Sequence, residues 1–309
     1  KPGEEYSGGR SDLSCQWLEV GACGKRTDFL QGTKVKLTFR IPENLGGWFS
    51  GRMKSPNISV KKLSDSANQL VIEGESVDVP QLAYIKPKSE IQVEKTLNVG
   101  RGGTGQGEFW AVTAGGPGSE DVFTWVDLYR KQLNETAAGV SSYWRMMTIS
   151  SGQGGACLAD TSEVLGIVTT NAAEYLDGPP TYDKNAGSLD YKVAATHFEP
   201  DGKTIFKGTY ELLMSSSVAR CIYKFTNAPV NASVSVTSES GEPNVATTVV
   251  REKDNWLTLG AYNFTFSAPT VSVKLTQDKP QVVAPVAPAK PVLKKITCVK
   301  GKVTKVVTT

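Results

Sequence analysis

Period-two alternation of apolar and polar residues, broken at short intervals by Gly, Pro, Asn or Asp, recurs along most of this chain. It constrains the fold more than any other feature. Val35-Lys36-Leu37-Thr38-Phe39 and Ile58-Ser59-Val60 alternate, as does the stretch Ile91 to Val99, while Leu70-Val71-Ile72 is more continuously apolar. Val230, Ala232, Val234 and Val236 fall on one face of a single strand, and Ser238 to Pro243 supplies a turn that makes 245–250 its hairpin partner. Further strands are expected at 108–112, 144–149, 164–169, 189–194, 208–214, 221–225, 257–261 and 271–275. Many short strands with this punctuation fit β-sandwich construction.

One helix is expected near 119–137. Ser119 suits the N-cap, Glu120 and Asp121 occupy the first turn where the helix dipole favours acids, and Val122, Trp125, Val126, Tyr129 and Leu133 recur at helical spacing. A chain of 309 residues is long enough for two cores. The reading is therefore a mainly β protein of two β-sandwich-like (Ig-like) domains, with the helix between them or packed on them. Its divisions are a flexible N-terminus at 1–12, an N-terminal β-domain at 13–112, a second β-domain at 113–278, a Pro/Lys-rich linker at 279–295 and a C-terminal β segment at 296–309. The linker composition favours extended polyproline II geometry, and Lys300-Gly301-Lys302 can turn a small hairpin.

Charge is unevenly placed. The net charge is +3, but 279–309 holds seven lysines and no acid, which leaves a net of −4 for the rest. The tail has no arginine and no aromatic ring to stack on bases, so nucleic acid is not the expected partner. Lys294, Lys295, Lys300, Lys302 and Lys305 instead read as an attachment element for self-association, for other surface proteins, or for an anionic cell-wall polymer or glycan. No apolar run approaches the roughly 18 residues of a membrane helix.

The five cysteines contain no C-x-x-C pair, and His197 is the only histidine, so no structural metal and no cofactor is expected. Disulfides are the preferred reading over buried free thiols, and they imply an oxidising compartment. Cys15 with Cys23 and Cys157 with Cys221 are the expected pairs, leaving Cys298 for another chain or a longer precursor. The polar start at 1–9, without an initiator Met, reads as the end left after signal-peptide removal.

No catalytic constellation is visible. There is no Gly-x-Ser-x-Gly elbow, and the glycine cluster at 100–107 is not followed by Gly-Lys-Ser/Thr. Glu108, Asp177 and Asp190 would permit a two-carboxylate glycosidase, but so would any chain with 31 acids. The loop at 175–185 lacks the Asp-x-Asp-x-Asn-Gly calcium pattern and reads as a Pro-stiffened turn. Gly46-Gly47-Trp48-Phe49 reads either as an aromatic corner closing a sandwich or as an exposed platform, with Trp48 and Tyr182 the candidate ligand-binding rings.

Several blocks carry a resemblance. Leu189-Asp-Tyr-Lys-Val-Ala-Ala-Thr-His197, Ser217-Val-Ala-Arg-Cys-Ile-Tyr-Lys-Phe225, Val249-Val-Arg-Glu-Lys-Asp-Asn-Trp256 and Phe264-Thr-Phe-Ser267 resemble segments of large secreted and cell-surface proteins of actinobacteria. So do Gly47-Trp-Phe-Ser-Gly-Arg52 and Thr113-Ala-Gly-Gly-Pro-Gly118. Ile296-Thr-Cys-Val-Lys-Gly-Lys302 is similar to the lysine-rich C-terminal module of that group, which there runs on to a second cysteine; this chain stops at Thr309 without one. The resemblance implies export and a place at the cell surface, and no particular activity. The functional expectation is a non-enzymatic structural or adhesive protein, a subunit of an envelope layer, filament or similar assembly. The alternative is an extracellular carbohydrate-binding module using exposed aromatics, and a secreted glycosidase is a distant third.

Overall fold

The structure is a computed structural model that describes residues 16–17, 23–24, 28–43, 46–87, 104–106, 109–114, 116–118, 121–149, 156–157, 163–176, 178–225, 230–237, 243–244, 246–266, 270–277 and 295–308. Strands of five or more residues are numbered along the chain. The first are β1 (Lys34–Pro42), β2 (Gly47–Arg52), β3 (Lys54–Ser64), β4 (Ala67–Glu75), β5 (Val77–Pro87) and β6 (Phe109–Ala114). Helix α1 (Asp121–Gln132) precedes β7 (Gly139–Tyr143), β8 (Arg145–Ile149), β9 (Val164–Thr170), β10 (Ser188–Ala194) and β11 (Lys207–Ser215). Helix α2 (Ser216–Tyr223) is followed by β12 (Val230–Thr237), β13 (Thr247–Lys253), β14 (Trp256–Thr265) and β15 (Thr270–Gln277), and the tail holds β16 (Lys295–Lys300) and β17 (Val303–Thr308).

Residues 1–277 form one compact unit and 278–309 another. The first is built around a six-stranded sheet in the order β8-β2-β9-β11-β14-β13. Only β2 and β9 run parallel in it; the other pairs are antiparallel. Every residue of β2 and β9 is buried, because this sheet is covered on both faces. Alternate side chains leave for two different cores. Trp48, Val168, Leu212 and Leu259 pack with Leu189, Tyr191 and Val236 of a seven-stranded sheet that contains β10, β15 and β12. Phe49, Ile167 and Leu213 pack the other way, against Ile41, Ile58, Leu70 and Ile72 of the antiparallel three-stranded sheet β1-β4-β3. The body is thus three stacked β layers with the six-stranded sheet in the middle. A further sheet, β7-β5-β6 with the short strand Thr104–Gln106, completes it.

The mainly β class is as expected, but the division at 112/113 is not how the chain folds. Strand β2 sits between β8 and β9, so the two expected domains share a sheet. Alternation locates strands; it carries no record of which strand a distant partner will be. Two local expectations also change. Residues 221–225 were expected as strand, and 216–223 is helix, because Val218 and Ala219 bury one helical face. Residues 247–250 pair with β14, and β12 pairs along its whole length with β15. The deciding signal is Asp254-Asn255, whose φ values of 50° and 64° make the two-residue type I′ turn that joins β13 to β14.

Helix α1 lies inside the expected span, with Val122 and Val126 buried and Leu133 packed against the larger core. Ser119, the side chains of Trp125 and Tyr129, and the expected strand at 91–99 lie outside the described residues. The linker at 279–294 does too. In the tail, β16 and β17 form an antiparallel hairpin turned at Gly301, whose φ of 64° is left-handed, at the turn the sequence indicated.

Candidate functional site

The β13–β14 hairpin is the outer edge of the six-stranded sheet, and its alternation sorts its side chains by face. Leu257 and Leu259 point into the larger core. Trp256 and Thr258 therefore project from the opposite face, and the register places Lys253 and Arg251 directly across from them. That face looks toward β3, the edge strand of the three-stranded layer. Between them lies a groove of about 470 Å³. Leu213 forms its apolar floor, and Asn57 and Ser59 of β3 stand opposite Trp256, Arg251 and Lys253.

Two positions along β11 from Leu213 lies Glu211, only 2% exposed. Its Oε1 accepts a short hydrogen bond from the Tyr262 hydroxyl, and its Oε2 accepts the Ser55 amide N–H at 2.8 Å. Ser55 has φ 53° within an irregularity of the β3–β4 register, which turns its N–H toward the carboxyl. Gly260 lies directly across from Glu211, and a Cβ there would sit 2.8 Å from the Tyr262 hydroxyl. Glycine at 260 thus lets the phenol lie along the strand and reach Glu211.

Burial pushes the Glu211 carboxyl above its ordinary range, against the two donated hydrogen bonds, and burial with the neighbouring carboxylate raises Tyr262. The folded state therefore holds the Glu211 proton more tightly than the unfolded chain. Its contribution to stability is full below the ordinary carboxylate range and is lost as pH rises through the raised value. In thermal unfolding from about pH 4 to about pH 7, the melting temperature of Glu211→Gln minus that of the wild type is expected to increase. A flat or falling difference would contradict the assignment.

A second polar cluster is closed. Arg52, at the end of β2, is 2% exposed and donates to the carbonyls of Ala172 and Ala173, the latter at 2.7 Å. Its guanidinium lies 5.0 Å from the Tyr175 ring centroid, and Arg145 donates to the Tyr175 hydroxyl at 3.2 Å. Desolvation holds the Arg52 pKa below its ordinary value. This cluster clamps the chain leaving β9 to the end of β2.

Comparison with protein-family models, curated proteins and solved structures finds no match.

The expected platform rings are placed differently from the sequence reading. Trp48 is 1% exposed, wedged between sheets where a Cβ on Gly166 would come within 2.4 Å of its ring. Glycine at 166 makes the space that swallows the indole, so Trp48 offers no exposed face. Tyr182 is half-buried and packs edge-to-face on Tyr223 at 5.2 Å. Trp256, half-buried at the groove, is a site residue that the sequence reading did not single out. The Asp254-Asn255 turn beside alternating Arg251, Lys253, Trp256 and Thr258 is the signal that points to it.

Cys157 and Cys221 form a disulfide. Cys15 and the side chains of Cys23 and Cys298 lie outside the described residues, as do Glu108, Asp177, Lys294 and the side chains of Lys295, Lys300 and Lys305. Lys302 is exposed. Asp190 pairs across from Ser272, and its Oδ1 is buried without a hydrogen-bond partner among the described residues. Among those residues no cluster of His, Cys, Asp or Glu could hold a metal ion, and no helix is long and apolar enough to cross a membrane.

The hairpin has one more property. Strand β13 is exposed at every position, with Val249 43% and Val250 37% exposed on opposite faces. It is the terminal strand of its sheet, so its outer row of backbone N–H and C=O groups faces away from β14.

Proposed function

We propose that this chain is an exported structural or adhesive protein of a bacterial surface that assembles by pairing the β13 edge of one copy with that of another. The exposed β13 edge carries this reading. Sheet proteins that stay monomeric protect such edges with charges, prolines, bulges or a covering element. Here Thr247-Thr248-Val249-Val250 offers four uncharged residues of high β-propensity. In an antiparallel pairing about a two-fold axis at Val250, each Val250 meets its own copy. Arg251 then stands across from Val249 and Glu252 from Thr248, so no like charges oppose one another. The Cys157–Cys221 disulfide is compatible with an oxidising exterior. The lysine-rich tail would add contacts to acidic surfaces, in a hairpin too small to be independently stable without a partner.

Light scattering on a size-exclusion column, with electron microscopy of the eluted species, tests the reading. The wild type is expected to form dimers or longer assemblies at micromolar concentration. Val250→Lys, which sets two lysines against each other at the two-fold axis, is expected to be monomeric with an unchanged circular dichroism spectrum. A monomeric wild type, or a variant that assembles as well, would refute the edge as the assembly surface.

A further inference from the structure

We infer that the groove between β3 and the β13–β14 hairpin is a binding site for a short anionic glycan, one whose sugar rings carry a carboxylate or sulfate. This goes beyond assembly, and it is carried by different side chains: the edge pairs through backbone, whereas the groove uses the β13 side chains that face β3.

Three features converge there. Trp256 supplies a half-buried indole beside the Leu213 floor, an amphipathic surface on which a sugar ring can lie. Its ring N–H has no acceptor among the described residues, so it is available to a ligand. Asn57, Ser59 and Thr258 add amide and hydroxyl groups that can both donate and accept. Because four consecutive residues, Asn57 to Val60, line the groove, the unpaired backbone edge of β3 faces it as well. Sugar hydroxyls require such mixed donors and acceptors.

Charge then selects the kind of sugar. Arg251 and Lys253 project into the groove from alternate positions of one strand face. Arg251 has no carboxylate within ion-pair distance among the described residues, and Lys253 reaches only Asp254, at 3.8 Å, an exposed side chain that also lines the groove and leaves its charged lining one cation in excess. The net charge of −4 on 1–278 makes this local excess of cations stand against the sign of its surroundings. A guanidinium fork matches the two oxygens of a carboxylate or sulfate. The volume of about 470 Å³ falls within the range of small-ligand sites, roughly 300–1,000 Å³.

Isothermal titration of the full chain tests the site with trigalacturonate, a sulfated disaccharide and neutral chitotriose. At least one anionic sugar is expected to bind at least about tenfold more tightly than chitotriose, and more weakly as salt rises. Which of the two binds decides between carboxylate and sulfate. Arg251→Gln with Lys253→Gln is expected to weaken that binding at least about tenfold. A tail variant, Lys300→Gln with Lys302→Gln and Lys305→Gln, is expected to bind as the wild type does, and so is Val250→Lys, which separates this site from self-association. Lys253→Gln alone keeps the test open if the double variant perturbs the hairpin, since that side chain is 70% exposed. The inference is overturned if neither anionic sugar binds at millimolar concentration, if chitotriose binds equally well, if the groove variants bind unchanged, or if the tail variant abolishes binding.

Discussion

Replacing Arg52 by leucine is expected to destabilise the body by about 2–6 kcal/mol, the cost of leaving two buried carbonyls without a donor. Two effects oppose each other. Burying the guanidinium is unfavourable, as its lowered pKa records, and leucine removes that cost. Leucine also leaves the carbonyls of Ala172 and Ala173 without their donors, in a buried stretch that water does not reach. Each orphaned carbonyl costs about 1–3 kcal/mol, and the two charge-assisted hydrogen bonds are themselves worth about 1.5–3 kcal/mol each. The contact over Tyr175 is lost as well. The orphaned acceptors win because they are backbone and cannot be substituted away. Arg52→Lys should recover only part of the loss, since a single ammonium cannot span both carbonyls as the fork does. Urea unfolding with an unchanged slope and a lowered midpoint is the expected record; a loss below about 1 kcal/mol would show that the clamp contributes little.

Removing the Cys157–Cys221 disulfide, by reduction or by Cys157→Ser with Cys221→Ser, should cost about 4 kcal/mol. The bridge closes a loop of 64 residues, and the chain-entropy model gives about that much for such a length. The loop contains β9, β10 and β11, two of which lie in the middle of the six-stranded sheet. One end is fixed in helix α2, which Val218 and Ala219 anchor on the larger core. The unfolded chain therefore gains freedom in the segment that forms most of the larger core. Unfolding midpoints with and without reductant measure the effect, and equal midpoints would show that the bridge is incidental to stability.

Much of the local structure was legible in the sequence. The alternating segments at 230–236 and 35–39 became strands, Val122 and Val126 became the buried stripe of a helix, and Gly301 marked its turn. The pairing of Cys157 with Cys221 was expected and is observed, although the strand expected at 221–225 is helix. The partner of β2 was not, because the parallel β2–β9 pairing joins distant segments and no turn residue encodes it. Trp48 was misjudged as a possible platform for a related reason. Whether an aromatic beside two glycines is exposed depended on Gly166, which only the fold brings to it. The groove was hidden likewise: Asn57 and Trp256 each look ordinary until two sheets stack.

The β2–β9 pairing also bears on how the chain is made. During synthesis, residues 47–52 emerge well before residues 164–170, and they have no place in the central sheet until those arrive. The outer strand β14 of the same sheet comes later still. An N-terminal half held in this way cannot complete a domain of its own and wait for the rest; its contacts are of high order, and such chains fold slowly and late. The central sheet thus cannot close until β9 has been made, so the order in which the chain emerges is not the order in which its strands find their partners.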